Sequence, residues 1–92
     1  MFYLYILKSL KYNKSYVGCT NNLERRLKQH NNGDHIYTKR YVPWIIVYSE
    51  RLKDRKEART REIYFKSSTG RRWMRDHIFN NADVAELVYA QP

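Results

Sequence analysis

Residues 2–8, FYLYILK, read as a β-strand that is apolar on both of its faces. Aromatic and branched side chains suit a pleated backbone. Alternation puts Phe2, Leu4 and Ile6 on one face and Tyr3, Tyr5 and Leu7 on the other. A strand with two apolar faces has to be covered on each side. It is therefore expected at the centre of a sheet with helices over both faces. A chain of 92 residues supports one such core and no more.

The rest of the chain supplies the covering layers. Ser9 to Asn13 is polar and turn-like, and Lys14 to Cys19 is a second strand, so the first two strands form a hairpin. The next segment, TNNLERRLKQHNNG, carries helix punctuation. Asn21 or Asn22 caps its start, Asn21 and Glu24 have capping-box spacing, and Asn32-Gly33 stops it. Leu23 and Leu27 form its apolar stripe. A polar, basic loop over 33–43 follows, holding His35, Lys39 and Arg40 and bounded by Pro43. Trp44 to Ser49, apolar throughout, is a third strand. Asp54, with Glu57 three residues on, starts a second helix that runs to about Ser67, with Ala58, Glu62 and Phe65 on one face. Thr69-Gly70 is expected to break it, and Arg71 to Asn80 to form a third, short helix anchored by Trp73 and Ile78. The order is β-β-α-β-α-α, an α/β (α+β) fold with a small three-stranded antiparallel sheet flanked by helices. The domain is expected over 1–80, with a tail over 81–92.

Charge narrows the partners. Eighteen Lys and Arg oppose nine Asp and Glu, a net charge of +9. That excess on a short chain favours a polyanionic partner, DNA, RNA or an anionic membrane, with nucleic acid first because basic clusters are its electrostatic footprint, and solubility alone as the plain alternative. Cys19 is the one cysteine, so no disulfide framework is available, and the expected compartment is the reducing cytoplasm. The apolar start is too short for a signal peptide and no run is long enough to span a membrane.

Five elements in order then resemble the GIY-YIG nuclease family, in particular small stand-alone members similar to the N-terminal nuclease domain of the bacterial excision-repair nuclease. Tyr3-Leu4-Tyr5 stands for the first signature, with Tyr and Leu in place of Gly and Ile, and Tyr16-Val17-Gly18 for the second. Arg26 is where the family's helix arginine belongs, His30 follows one turn later, and Glu62 matches the metal-binding glutamate. The resemblance covers residues 2–76. It implies an endonuclease that hydrolyses phosphodiester bonds with one Mg²⁺ (or Mn²⁺). Glu62 would hold the metal and Arg26 would bind the scissile phosphate. Tyr5 and Tyr16 would act around the attacking water, one as general base and one orienting it, with Tyr5 the first choice for the base. Products would carry 5′-phosphate and 3′-hydroxyl ends.

The residues read on their own point the same way. Glu62 shares a face with Ala58 and Phe65, so its carboxylate aims inward and needs a partner. A divalent cation is one, and Lys66 at i+4 is the other. Arg26 flanks the leucine stripe while Arg25 points about 100° away. His30 either touches phosphate, assists proton transfer, or is a helix-end residue satisfied by water. A phenol near pKa 10 needs positive charge beside it to act as a base, and Lys14, Arg26 and a bound metal are the candidate sources. Whether Tyr5 and Tyr16 meet depends on a hairpin register that sequence leaves open. Lys14, Lys39, Arg40, Arg71 and Arg72 are the expected DNA-binding residues, giving affinity with little base reading. The expected partner is nucleic acid, most of all DNA, with single-stranded or branched DNA first and duplex DNA and RNA left open. The alternatives are a catalytically weak binding module on the same fold, or a basic interaction protein with no nucleic-acid role. The tail ADVAELVYAQP resembles a translated 5′ half of a bacterial leucine transfer-RNA gene. It is expected to hold no functional residue.

Overall fold

In the computed structural model, residues 1–79 are described. The tail and the end of the expected third helix at Asn80 lie outside them. Three strands, β1 (Phe2–Ser9), β2 (Ser15–Thr20) and β3 (Trp44–Leu52), form one antiparallel sheet in the order β2-β1-β3. Three helices cover it: α1 (Leu23–Asn31), α2 (Arg55–Lys66) and α3 (Ser68–Met74). The two-faced strand is central. Leu4, Ile6 and Val17 pack with Phe65, Met74 and Ile78 on one side. Tyr5, Leu7 and Trp44 pack with Leu23 and Leu27 on the other.

Local chemistry sets the element ends. The Asn22 side chain accepts from the Arg25 N–H and caps α1, while Asn21 holds the Arg25 guanidinium at 2.8 Å. Gly33, at φ 84°, turns the chain out of α1. Asp54 caps α2 by accepting from the Glu57 N–H at 2.9 Å, and Glu57 accepts from the Lys53 N–H at 3.2 Å. In the hairpin, the Lys8 ammonium is folded inward onto the Tyr12 carbonyl at 2.7 Å. Ser9 Oγ accepts from the N–H groups of Lys11 and Tyr12 and donates to the Tyr41 carbonyl.

Two expectations are corrected. Gly70 does not break a helix. It lies inside α3, whose cap is Ser67, and a Cβ there would run into the Tyr64 carbonyl and lie 2.6 Å from Phe65 Cα. The glycine marks where two helices touch backbone to backbone. The third helix thus starts at Ser68, not Arg71, and changes to a wider π-type turn over Arg75–Phe79. The third strand runs to Leu52 and shifts register between Ile6 and Leu7. Ile6 pairs with Tyr48 and Leu7 with Ile46, leaving Val47 as the extra residue. Val47 and Tyr48 therefore both reach the α2–α3 side while Ile46 reaches the α1 side. That is why this strand reads as apolar throughout.

Candidate active site at the edge of the second strand

The register settles the tyrosine question. Tyr5 pairs with Gly18 and Leu7 with Tyr16, so Tyr5 and Tyr16 share a face on a diagonal. Their ring centroids are 6.3 Å apart. The Tyr5 ring lies across Gly18. A Cβ on that glycine would sit 2.6 Å from the Tyr5 hydroxyl. The glycine of the Tyr16-Val17-Gly18 signature makes room for the tyrosine of the first strand.

The two phenols sit in different surroundings. Tyr5 is 3% exposed. Its hydroxyl is 2.9 Å from His30 Nε2, and His30 Nδ1 is 2.8 Å from Thr38 Oγ1. Trp44 Nε1 donates to the Thr38 carbonyl at 2.8 Å. With His30 and Thr38 also buried, this is a closed chain in which both imidazole nitrogens are satisfied. Burial, and then the neighbouring Tyr16, push the Tyr5 phenol well above its ordinary value. Burial, helped by His35 and Arg26, pulls His30 down to about 4, so it is a neutral ring. These surroundings oppose Tyr5 as the base. His30 itself is buried, with both ring nitrogens bonded within the protein.

Tyr16 is half-buried. Its hydroxyl lies 3.2 Å from His35 Nε2, and the His35 ring stands 5.1 Å from that of His30. Burial raises the Tyr16 phenol, opposed by Lys66, whose ammonium lies 5.9 Å from the ring centroid. Lys14 plays no such part. It is exposed, outside β2, with its ammonium 5.2 Å from the Tyr41 ring. His35 and Lys66 are thus the functional candidates that sequence reading missed. His35 was visible only as a polar loop residue, and Lys66 only as a helix ion-pair partner.

Glu62 comes from the opposite layer and reaches the same edge. Ala58, Glu62 and Phe65 are the buried residues of α2. The Glu62 carboxylate accepts from Lys66 Nζ at 2.7 Å, from Arg59 Nη1 at 2.8 Å and from Cys19 Sγ at 3.5 Å. Burial raises its pKa, but the Lys66 and Arg59 hydrogen bonds outweigh that, and the net direction is down. The adjacent Cys19 thiol is pushed up to about 11 by burial and by Glu62, so it stays protonated. Arg26 lines one polar cleft of about 430 Å³ with Arg25, Arg55, Arg59 and Glu62. Arg26 Nε is buried without a partner, as is His35 Nδ1. An orphaned guanidinium N–H in a cleft shared with three other arginines suits an anionic ligand.

Inward aim of Glu62 does not by itself demand a metal, since two cations already meet it. The donor set nevertheless fits one kind of ion. Among the described residues no group of three or more His, Cys, Asp or Glu gathers. A lone carboxylate suits Mg²⁺, which keeps several waters and takes substrate phosphate as ligand. Arg59 and Lys66, which pair with Glu62 at 2.8 and 2.7 Å, are themselves half or more exposed.

Of the other expected DNA-binding residues, Arg71 joins Tyr16 and Lys66 along a second cleft. Lys39 and Arg40 are exposed on the short turn Thr38–Tyr41, and Arg72 is exposed on α3. Trp73 is a core anchor against Tyr48, Phe65 and His77. Among the described residues no helix is long and apolar enough to cross a membrane.

Residues 1–82 match the family described as the GIY-YIG catalytic domain. This chain belongs to the GIY-YIG nuclease family. The GIY-YIG domain here is 47% identical over 70 residues to a UPF0213 protein of Clostridium perfringens, covering 75% of this chain and 74% of that one. It is 34% identical over 90 residues to the UPF0213 protein YazA of Bacillus subtilis, covering 97% and 89%. The solution NMR structure of a UPF0213 protein from Bacillus halodurans superposes with a TM-score of 0.53 at 26% identity, covering 97% of this chain and 99% of that one. The three-stranded sheet and its three helices are thus the fold of a known group of small GIY-YIG proteins.

Proposed function

We propose that this GIY-YIG protein is a metal-dependent DNA endonuclease whose reacting centre lies at the outer edge of β2. The observation that carries this reading is the convergence of three elements there. Arg26 from α1 and Glu62 from α2 line one cleft, although the two helices cover opposite faces of the sheet, and both act electrostatically on Tyr16 of β2, which lines the neighbouring cleft. An edge strand is the one place where both layers can reach a common ligand.

Tyr16 is the residue that faces the attacking water. As it takes a proton from water, its own proton passes to His35 Nε2, and the hydroxide oxygen bonds to phosphorus while the P–O3′ bond breaks and the departing 3′ oxygen takes a proton from solvent water. No free phenolate has to persist, which agrees with the raised phenol. Tyr5, locked by His30 and Thr38, supports the Tyr16 ring and the water without titrating. Arg26 bonds the non-bridging phosphate oxygens, with its planar fork matched to them. Glu62 is the residue that would hold Mg²⁺ or Mn²⁺, which supplies Lewis-acid charge to the phosphate oxygens. Cleavage leaves 5′-phosphate and 3′-hydroxyl ends. Arginines along the polar cleft, with Lys14, Lys39, Arg40, Arg71 and Arg72, hold the strand backbone. A basic cleft beside exposed aromatic rings suits splayed bases, which favours single-stranded or branched DNA.

One assay tests it. The protein is incubated with single-stranded, duplex and branched DNA with and without Mg²⁺, beside Glu62→Ala. Cleavage should need the metal and fall at least a hundredfold in the variant, while circular dichroism stays unchanged. Full activity in Glu62→Ala would remove the metal assignment.

A further inference from the structure

Beside Tyr16 lies a second cleft of about 480 Å³, which shares no lining residue with the arginine-lined one. Its walls are Tyr16, Tyr37, Phe65 and Met74, and Lys66 and Arg71 line it as well. Phosphodiester hydrolysis at Tyr16 uses none of this apolar surface. The volume lies within the range of small-molecule pockets, roughly 300–1,000 Å³.

The loop that reaches it has an unusual build. His35 is tied to Tyr16, and Thr38 is tied to the buried His30. Between these two anchors stand Ile36, 79% exposed, and Tyr37, 42% exposed. A single exposed isoleucine is ordinary on a protein surface. This one is held within one residue of the candidate proton acceptor and next to a cleft-lining tyrosine.

We propose that this cleft is a nucleobase subsite. It takes one unstacked base of the bound DNA strand, next to the phosphate held by Arg26. The base lies against Tyr37, beside Tyr16 and the exposed edge of Met74. Its flanking phosphate meets Lys66 and Arg71. Ile36 enters the base stack as an apolar wedge and fills the gap left by the displaced base. Charge complementarity selects this occupant. A neutral apolar ligand has no use for Lys66 and Arg71, and a bare phosphate has no use for the aromatic and thioether walls. A nucleotide uses both. Aromatic stacking of a base is worth roughly five- to a hundredfold in affinity, since it contributes ~1–3 kcal/mol. The inference rests on the nuclease reading and adds to it where the base goes.

The test is a binding cycle in EDTA, so that no strand is cut. Affinities of wild type, Tyr37→Ala and Tyr37→Phe are measured for a single-stranded oligonucleotide and for a series with one abasic position moved along it. One abasic position should weaken wild-type binding about tenfold. Tyr37→Ala should lose a similar factor on the intact strand and nothing further on that abasic strand. Tyr37→Phe should bind as wild type does. Both residues are substantially exposed, so the variants are expected to fold, and thermal melting checks this. Ile36→Ala should weaken duplex binding more than single-strand binding, because the wedge matters only where a stack must open. Equal losses on intact and abasic strands overturn the subsite, and equal losses on duplex and single strand overturn the wedge. Wild type that binds and cleaves DNA without this coupling keeps the nuclease reading and loses the subsite. Wild type that binds no DNA loses both.

Discussion

Tyr5 and Tyr16 carry the same side chain on the same sheet face, yet their neighbours give them different work. Tyr5 is sealed behind Gly18 against a neutral His30, while Tyr16 opens to a cleft with His35 on its hydroxyl. Sequence spacing puts both near a reacting centre. It does not tell which can meet water, because that depends on what folds over each ring. The buried imidazole has a measurable consequence. His30 has its pKa depressed from 6.5 to about 4 by burial. Between those values the unfolded chain binds a proton that the folded one does not. The stability tied to the neutral ring is therefore present above pH 6.5 and is lost as pH falls toward 4. At full extent this is about 3 kcal/mol, from ~1.4 kcal/mol per pKa unit. Urea midpoints at pH 7.5 and 4.5 should show that drop in wild type and a clearly smaller one in His30→Gln. Parallel pH curves for the two proteins would contradict it.

At the scale of elements, the second layer depends on contacts that propensity does not encode. Arg61 binds Glu50 through Nε and Nη2, both at 2.8 Å, and Tyr48 donates to the same carboxylate at 2.6 Å. This clamps α2 to β3, and the Arg61 bonds hold the Glu50 carboxyl below its usual range. The Asn31 side chain bonds both the N–H and the carbonyl of Trp44, tying the end of α1 to β3. Between α2 and α3 the contact is Gly70. Gly70→Ala forces a methyl against backbone atoms of Tyr64 and Phe65, which cannot rotate away. The expected cost is about 1–3 kcal/mol, typical of overpacking. A thermal melt should fall by several degrees, and an unchanged midpoint would contradict a close α2–α3 contact. Read as a sequence, Thr69-Gly70 resembles a helix stop. A stop and a close approach use the same residue, and only the neighbouring helix distinguishes them.

Over the whole molecule the net charge is +9, and part of it lines the site. Arg25, Arg26, Arg55 and Arg59 share the cleft that also holds Glu62. Binding of single-stranded DNA should therefore weaken steeply with salt, because each neutralised phosphate releases counterions. Arg55→Ala should reduce the slope of log affinity against log salt by about 0.7, the loss of one phosphate contact on a single strand. The reduction should be the same for unrelated sequences. Fluorescence anisotropy across a salt series reads it, and a sequence-dependent loss would mean that Arg55 reads bases. Of the basic residues singled out from sequence, Arg71 joins a cleft at the site, while Lys14 lies outside both clefts. Local spacing locates a charge on its element, but not the direction in which the element presents it.

The sequence alone determined the order of the elements and the inward faces of the first strand and first two helices. The two-sided strand at 2–8 is central, Asp54 caps its helix, Leu23 and Leu27 face the sheet, and Ala58, Glu62 and Phe65 turn inward. Each follows from period and capping, which act over a few residues. The tertiary structure decided the hairpin register and the bulge at Val47. It also decided the pairing of Tyr16 with His35 and the meeting of Arg26 and Glu62 around the β2 edge. The last two join residues 19 and 36 positions apart in the chain. Their geometry is set by how two helical layers close on one sheet, and no local pattern of side chains carries that information.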